Sequence, residues 1–384
     1  MSKKKKLIIV AAATAFAIAA IVVGVKLYNE KRLGLVETTA ANEELKDYRF
    51  EKYENLEFEC DVPTDSIDKV YTFSIANPDG KFEDEQFSKK LLADMASKRF
   101  SMDIKESDII NDDGALKYEY ESDDGAKKIF ANLFAGGTFL LNDDIQLMKT
   151  RYGSEQSAAA PFIHLWNGLD DVGEVTLNGK AIDIKDFAKA AEGEVRRCCE
   201  GAFNEGEDIR IYDAVKVKRT EDGIEYITFR FIHVLEGLAV NEGGYAGAPD
   251  LGRFVFPSFV AVEMSDDKTI SSVSNYFYYI IRDKKSVDKI VPLSRATELL
   301  SKQLAPYFKN KVTNVGLKYV NITEQGKEES ELRPMWCYTL DEMPGGYGEP
   351  SNYFITHNAY VDAQTGDVYL SNSKEQSFEE IGFE

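Results

Sequence analysis

VPLSRATELLSKQLAP, residues 291–306, is the stretch from which the fold class is read. Pro292 and Ser294 mark a helix start, with Ser294 placed as its N-cap. Pro306 ends the helix, because proline lacks the amide hydrogen and clashes with the preceding turn. Between them Ala296, Leu299, Leu300 and Leu304 recur at helical spacing as one apolar stripe. Downstream, Val315–Val320, Leu332–Leu340 and Phe354–Asp362 alternate as strands do. A turn at Thr365-Gly366 leads into Val368–Leu370. A helix followed by an antiparallel meander is an α+β arrangement, with the helix packed on one sheet face.

The same order repeats upstream. Val70–Ile75 alternates, Asn77-Pro78-Asp79-Gly80 is a turn, and Phe87, Leu91 and Met95 fall at helical spacing. Strands follow near Leu116–Glu121 and Ile129–Phe134, joined at Asp123-Asp124-Gly125. A second cycle places Ile184, Phe187, Ala188, Ala191, Val195, Cys198 and Ala202 on one helical face. The hairpin Ile209–Val217 and Ile224–Val234 comes next, then Phe254–Met264 and Ile270–Ile280. The expected organisation is a lysine tail (1–6), a transmembrane helix (7–26), a stalk (27–47) and tandem helix-plus-antiparallel-sheet units at 48–176, 177–286 and 287–384.

The third unit carries a resemblance. Val291-Pro292-Leu293-Ser294, Val315-Gly316-Leu317-Lys318-Tyr319, Leu332-Arg333-Pro334-Met335-Trp336 and Ala359-Tyr360-Val361-Asp362-Ala363-Gln364-Thr365-Gly366-Asp367-Val368 are similar to the PepSY-like modules of bacterial extracytoplasmic proteins. The arrangement also resembles the ectodomains of the YycH/YycI regulatory proteins. The resemblance implies a non-catalytic role, restraining or sensing a partner such as a protease or a sensor kinase.

Its closing phrase also has a physical reading. Gly366 supplies the positive φ of a type I turn with a G1 bulge, and Asp362 caps the turn through its side chain. Trp336 reads as core beneath the third helix, with a groove-lining role as the alternative. Trp336, Asp362, Thr365 and Gly366 are therefore the candidate interaction residues.

Leu7–Val25 carries no charge and follows Lys3–Lys6. At ~1.5 Å per residue the run can cross a hydrocarbon core of roughly 30 Å, with the lysines held in the cytosol. Ala17-Ile18-Ala19 would suit signal-peptide cleavage. The apolar run continues past the length of a removable segment, however, so an uncleaved single-pass anchor in a bacterial cell membrane is expected, with the rest of the chain extracytoplasmic. The chain has a formal net charge of −20, and all 66 acidic residues follow the apolar run. Such a surface repels nucleic acid and favours cationic partners.

Chemistry is sparse. His164, His233 and His357 lie far apart, and none joins a zinc motif. No serine elbow or P-loop occurs, and Gly243-Gly244-Tyr245-Ala246-Gly247 lacks the lysine a P-loop requires. Thr365-Gly366-Asp367 has the wrong order for an aspartic protease. Cys60, Cys198, Cys199 and Cys337 show no zinc spacing, and Cys198 belongs to an apolar helix face. No catalytic residue, metal or cofactor is expected. The expected partner is another envelope protein. The alternative is an envelope glycan or peptide hydrolase using a carboxylate pair.

Overall fold

The computed structural model describes residues 30–371, apart from 64–66, 68, 77–84, 113–114, 126, 135–136, 144–161, 165–172, 219–222, 245, 249–251, 305–308, 325–328 and 344–354. The expected lysine tail and anchor, the turn at Asn77–Gly80 and the helix stop at Pro306 lie outside the described residues.

The described chain opens with β1 (Val36–Glu37), α1 (Thr38–Asp47), β2 (Leu56–Phe58) and β3 (Val70–Ala76). Helix α2 (Glu85–Phe100) precedes β4 (Ile110–Asp112), β5 (Ala115–Glu121), β6 (Lys128–Phe134), β7 (Thr138–Asn142) and β8 (Phe162–His164). β9 (Glu174–Leu177) and β10 (Lys180–Asp183) lead into α3 (Ile184–Cys199). Then come β11 (Glu207–Lys218), β12 (Glu225–Leu235), β13 (Leu238–Ala239), β14 (Ala246–Ala248), β15 (Arg253–Phe256) and β16 (Phe259–Met264). β17 (Ile270–Tyr276), β18 (Ile280–Val287) and β19 (Lys289–Ile290) precede α4 (Leu293–Gln303). The last strands are β20 (Lys309–Glu324), β21 (Glu329–Met343), β22 (Ile355–Asp362) and β23 (Val368–Leu370).

Strands account for 51% and helices for 24%, so the protein is mostly β. That corrects the expected α+β class of a transmembrane helix followed by tandem helix-plus-sheet units. Among the described residues no helix is long and apolar enough to cross a membrane. One sheet runs β18-β3-β21-β22-β23-β14-β15-β20-β2, and β20 also pairs with β21, closing a six-stranded barrel. The other large sheet runs β4-β5-β6-β7-β17-β16-β12-β11-β8, with β13 beside β12. The physical reason for the correction is pairing between segments far apart in sequence. Periodicity locates a strand, but it says nothing about which distant strand will share its hydrogen bonds.

By compactness the chain divides into two units. The first comprises residues 1–70, 286–316 and 334–373, and the second 71–285, 317–333 and 374–384. In the first, the segment expected as a stalk carries β1 and α1. β1 pairs antiparallel with β19, and Leu33, Ala41 and Leu45 are buried. Helix α4 starts one residue before Ser294, with Pro292 as its N-cap, and the Ser294 amide donates to Glu44 Oε1 of α1 at 3.2 Å. Its buried stripe is Leu293, Ala296, Thr297 and Leu300. The Thr297 hydroxyl lies 3.1 Å from the Tyr338 hydroxyl.

In the second unit α3 follows its sequence stripe. Ile184, Phe187, Ala188, Ala191, Val195 and Cys198 are all buried, and Asp183 Oδ1 accepts from the Lys185 amide at the N-cap. The larger sheet has two different faces. Phe229, Val262, Val273, Leu141 and Ala131 stand in register on the face that joins α2 and α3 in one apolar core. On the opposite face Thr228, Glu263, Ser272 and Asn142 stand in register, with Ser274 and Asn132 in the next row. These six are also buried, and Thr228 Oγ1, Ser272 Oγ, Ser274 Oγ and Asn132 Oδ1 find no hydrogen-bond partner among the described residues.

Candidate functional site

The residues singled out from the sequence gather at the middle of β21 and the β22–β23 hairpin. Trp336 is 0% exposed and stands opposite Val361, and its indole Nε1 donates to the Val291 carbonyl at 2.8 Å. That bond satisfies the one polar atom of the ring, so the indole sits in the core without a desolvation cost. Asp362 is equally buried, and its Oδ1 accepts from the Gln364 amide at 2.7 Å and the Thr365 amide at 3.0 Å. The Gly366 amide donates to the Asp362 carbonyl at 2.8 Å.

Gly366 has φ +73°, and a Cβ there would lie 2.8 Å from Leu33 and 3.1 Å from Leu299. The left-handed backbone favours glycine at this position, and any side chain would also push the tips of Leu33 and Leu299 aside. Thr365 is exposed, and its hydroxyl donates to Asp367 Oδ2 at 2.8 Å. Gln364 lines a broad polar hollow of about 680 Å³ with Glu30, Glu37, Lys69, Asp288 and Lys289. Within that hollow Lys289 Nζ pairs with Glu30 at 3.0 Å.

A different hollow of the same unit lies at β2. Residues 50–54 and 56–58 with Lys309 line an open cleft of about 420 Å³, within the range of small-molecule pockets. Asn55 builds it. Its side-chain Nδ2 donates to the carbonyls of Ser301 at 2.7 Å and Leu304 at 3.2 Å, capping the C-terminus of α4. The Ser301 hydroxyl donates back to Asn55 Oδ1 at 2.9 Å, and the Asn55 carbonyl accepts from the Asn310 amide at 3.0 Å.

With Asn55 fixed, β2 pairs in parallel with the start of β20 and ends its sheet. The Phe50 and Phe58 rings then stack at 4.0 Å with an interplanar angle of 7°, and Tyr48 meets Phe50 edge-on at 5.3 Å. Both phenylalanines are only half-buried. Burial, followed by the neighbouring Tyr48, pushes the Tyr53 phenol up to about 12, so Tyr53 remains a hydroxyl donor at neutral pH. Glu51, Glu54 and Glu57 line the cleft against Lys52 and Lys309.

The second unit holds two buried charge clusters. Glu207 Oε1 lies 2.8 Å from His233 Nδ1 and accepts from the Tyr279 hydroxyl at 2.8 Å, while Asn204 holds Oε2. Burial alone pushes the Glu207 carboxyl up. The His233 charge and the hydrogen bonds from His233 and Asn204 outweigh it and hold Glu207 below the usual carboxylate range. In the second cluster Arg230 forks onto Asp213 and lies over the Tyr212 ring, and Lys318 Nζ pairs with Glu242 at 2.6 Å.

Cys198 and Cys199 lie buried with sulfurs 3.5 Å apart. The hydrogen bond from Cys198 and burial raise Cys199 well above the ordinary thiol range, which keeps it from acting as a thiolate. All four cysteines are free thiols. Among the described residues no group of three His, Cys, Asp or Glu side chains is placed to hold a metal ion.

No sequence motif marks the cleft. The available signal was aromatic density, with Tyr48, Phe50, Tyr53 and Phe58 all falling within a short acidic stretch.

No family model matches the chain, and no curated protein does. Among solved structures the chain is similar to an uncharacterized protein from Eubacterium rectale ATCC 33656. The match has 11% identity and a TM-score of 0.54, covers 82% of this chain and 90% of that one, and is a likeness of fold alone.

Proposed function

We propose that this is a single-pass protein of the bacterial cell membrane, cytoplasmic at its N-terminus, whose extracytoplasmic part binds or regulates another envelope protein without catalysis. The partner class is a protease or sensor kinase, as the PepSY-like and YycH/YycI-like resemblance of residues 291–371 implies. The lysine-flanked apolar run supports the location.

The observation that carries the binding role is the cleft at β2, where two stacked and half-exposed phenylalanines adjoin the terminal strand of a sheet. Aromatic side chains are enriched at protein interfaces, and burying a ring already held in place adds contact area at little entropic cost. Trp336, Asp362 and Gly366 support the role indirectly, by holding the unit together.

The test is affinity capture from detergent-solubilised membranes with the full chain and with a Phe50→Ala/Phe58→Ala variant. One specific envelope protein should be enriched by the wild type and lost by the variant. Equal recovery with both, or recovery of abundant bystanders only, would refute the proposal.

A further inference from the structure

The cleft at β2 has an open strand edge, and its register shows which main-chain groups face outward. The Asn310 amide donates to the Asn55 carbonyl, and the Glu59 amide donates to the Val312 carbonyl at 2.9 Å. Leu56, Glu57 and Phe58 stand opposite Asn310, Lys311 and Val312 in a parallel ladder. In a strand the N–H and C=O of one residue point to the same side and alternate along the chain. Asn55, Glu57 and Glu59 therefore face β20, while Leu56 and Phe58 present their amides and carbonyls to the other side. β2 is the last strand of its sheet, so among the described residues that side is an unpaired edge.

The surroundings of this edge specify what would pair with it. The stacked pair of Phe50 and Phe58 offers an apolar wall beside the strand. Glu51, Glu54 and Glu57 are exposed on the rim, and three carboxylates face two ammonium groups in a chain of net charge −20. An added strand would lie about 4.8 Å from β2, with alternate side chains directed at the wall.

We infer that the occupant is an extended basic peptide segment of the partner. It would add as a strand to Leu56–Phe58, seat one bulky apolar side chain on Phe50 and Phe58, and place lysine or arginine against Glu51, Glu54 and Glu57. This deepens the binding role proposed above and rests on it. The affinity comes from the main chain, and the aromatic wall and acidic rim select the side chains. An acidic segment is repelled, and a segment with proline at an amide-donating position cannot complete the ladder.

The experiment uses the full chain in detergent micelles and a labelled peptide of about ten residues that alternates lysine with valine around a central phenylalanine. Binding is followed by fluorescence polarisation, and protection of the Leu56 and Phe58 amides by hydrogen exchange. The peptide should bind and slow exchange at both amides by about tenfold or more, as paired main-chain amides do. Prolines replacing the alternate donor residues, with charge kept, should weaken it about tenfold or more, and so should Phe50→Ala/Phe58→Ala.

Equal binding of the proline peptide, or binding without protection of Leu56 and Phe58, would overturn strand addition. Binding of a soluble oligosaccharide in place of any peptide would overturn the ligand class. If membrane capture depends on Phe50 and Phe58 while no basic peptide binds, this inference fails and the proposed function stands. If capture is also insensitive to those residues, both fail.

Discussion

The β22–β23 hairpin and the β2 cleft both belong to the first unit, and both are built from aromatic and acidic side chains. They use them in opposite ways. In the hairpin, Asp362 spends its buried carboxylate on backbone amides, Trp336 has its indole nitrogen satisfied, and Gly366 supplies the left-handed turn. In the cleft, Phe50 and Phe58 stack but stay half-exposed, the carboxylates of Glu51, Glu54 and Glu57 line the rim, and one side of β2 is unpaired among the described residues. The segment with the most recognisable sequence is thus a structural closure. The accessible surface lies in a stretch with no motif at all.

Substitutions separate the two regions by what they damage. Trp336→Ala should have the largest effect, lowering stability by about 3–5 kcal/mol through a core cavity and an orphaned Val291 carbonyl. Chemical denaturation followed by circular dichroism measures it, and a loss below about 1 kcal/mol would mean that Trp336 is not core.

Gly366→Ala should cost about 2–3 kcal/mol in the same assay, combining a left-handed backbone with contacts to Leu33 and Leu299. Asp362→Ala should cost about 1–3 kcal/mol, because the Gln364 and Thr365 amides lose their acceptor. Folded protein from these variants should still bind the partner with wild-type affinity, which titration calorimetry can check.

Phe50→Ala/Phe58→Ala should behave in the reverse manner. It should cost about 2–3 kcal/mol of stability, from two half-buried rings and their stacking contact, yet abolish partner capture. A large stability loss with unchanged capture would dissolve the contrast between hairpin and cleft.

The sequence carried local information well and long-range information poorly. The stripe from Ile184 to Cys198 predicts the buried face of α3, because a helix is defined by contacts within its own few turns. The turn chemistry of Asp362 and Gly366 is equally local, and its hydrogen bonds are those the residue types suggest.

The sheets were not legible in that way. Phe254–Met264 reads as one strand, yet Pro257-Ser258 interrupts it and its two parts, β15 and β16, enter different sheets. Phe139 pairs opposite Asn275 across more than a hundred residues, and nothing in either segment names the other. The residues Thr228, Ser272 and Ser274 alternate as a solvent face would, yet they are buried. The cleft depends on Asn55 reaching the end of α4, a contact between distant segments, so the aromatic density of residues 48–58 marks the stretch but not the shape it takes.

On the proposed function, the partner is met at the cleft and not at the motif hairpin. A photo-crosslinking amino acid placed at Tyr53 in one variant and at Thr365 in another addresses this directly, in intact membranes under identical illumination. A covalent adduct with one envelope protein is expected from position 53 and none from position 365. Adducts from position 365, with position 53 silent, would contradict it and return the function to the hairpin.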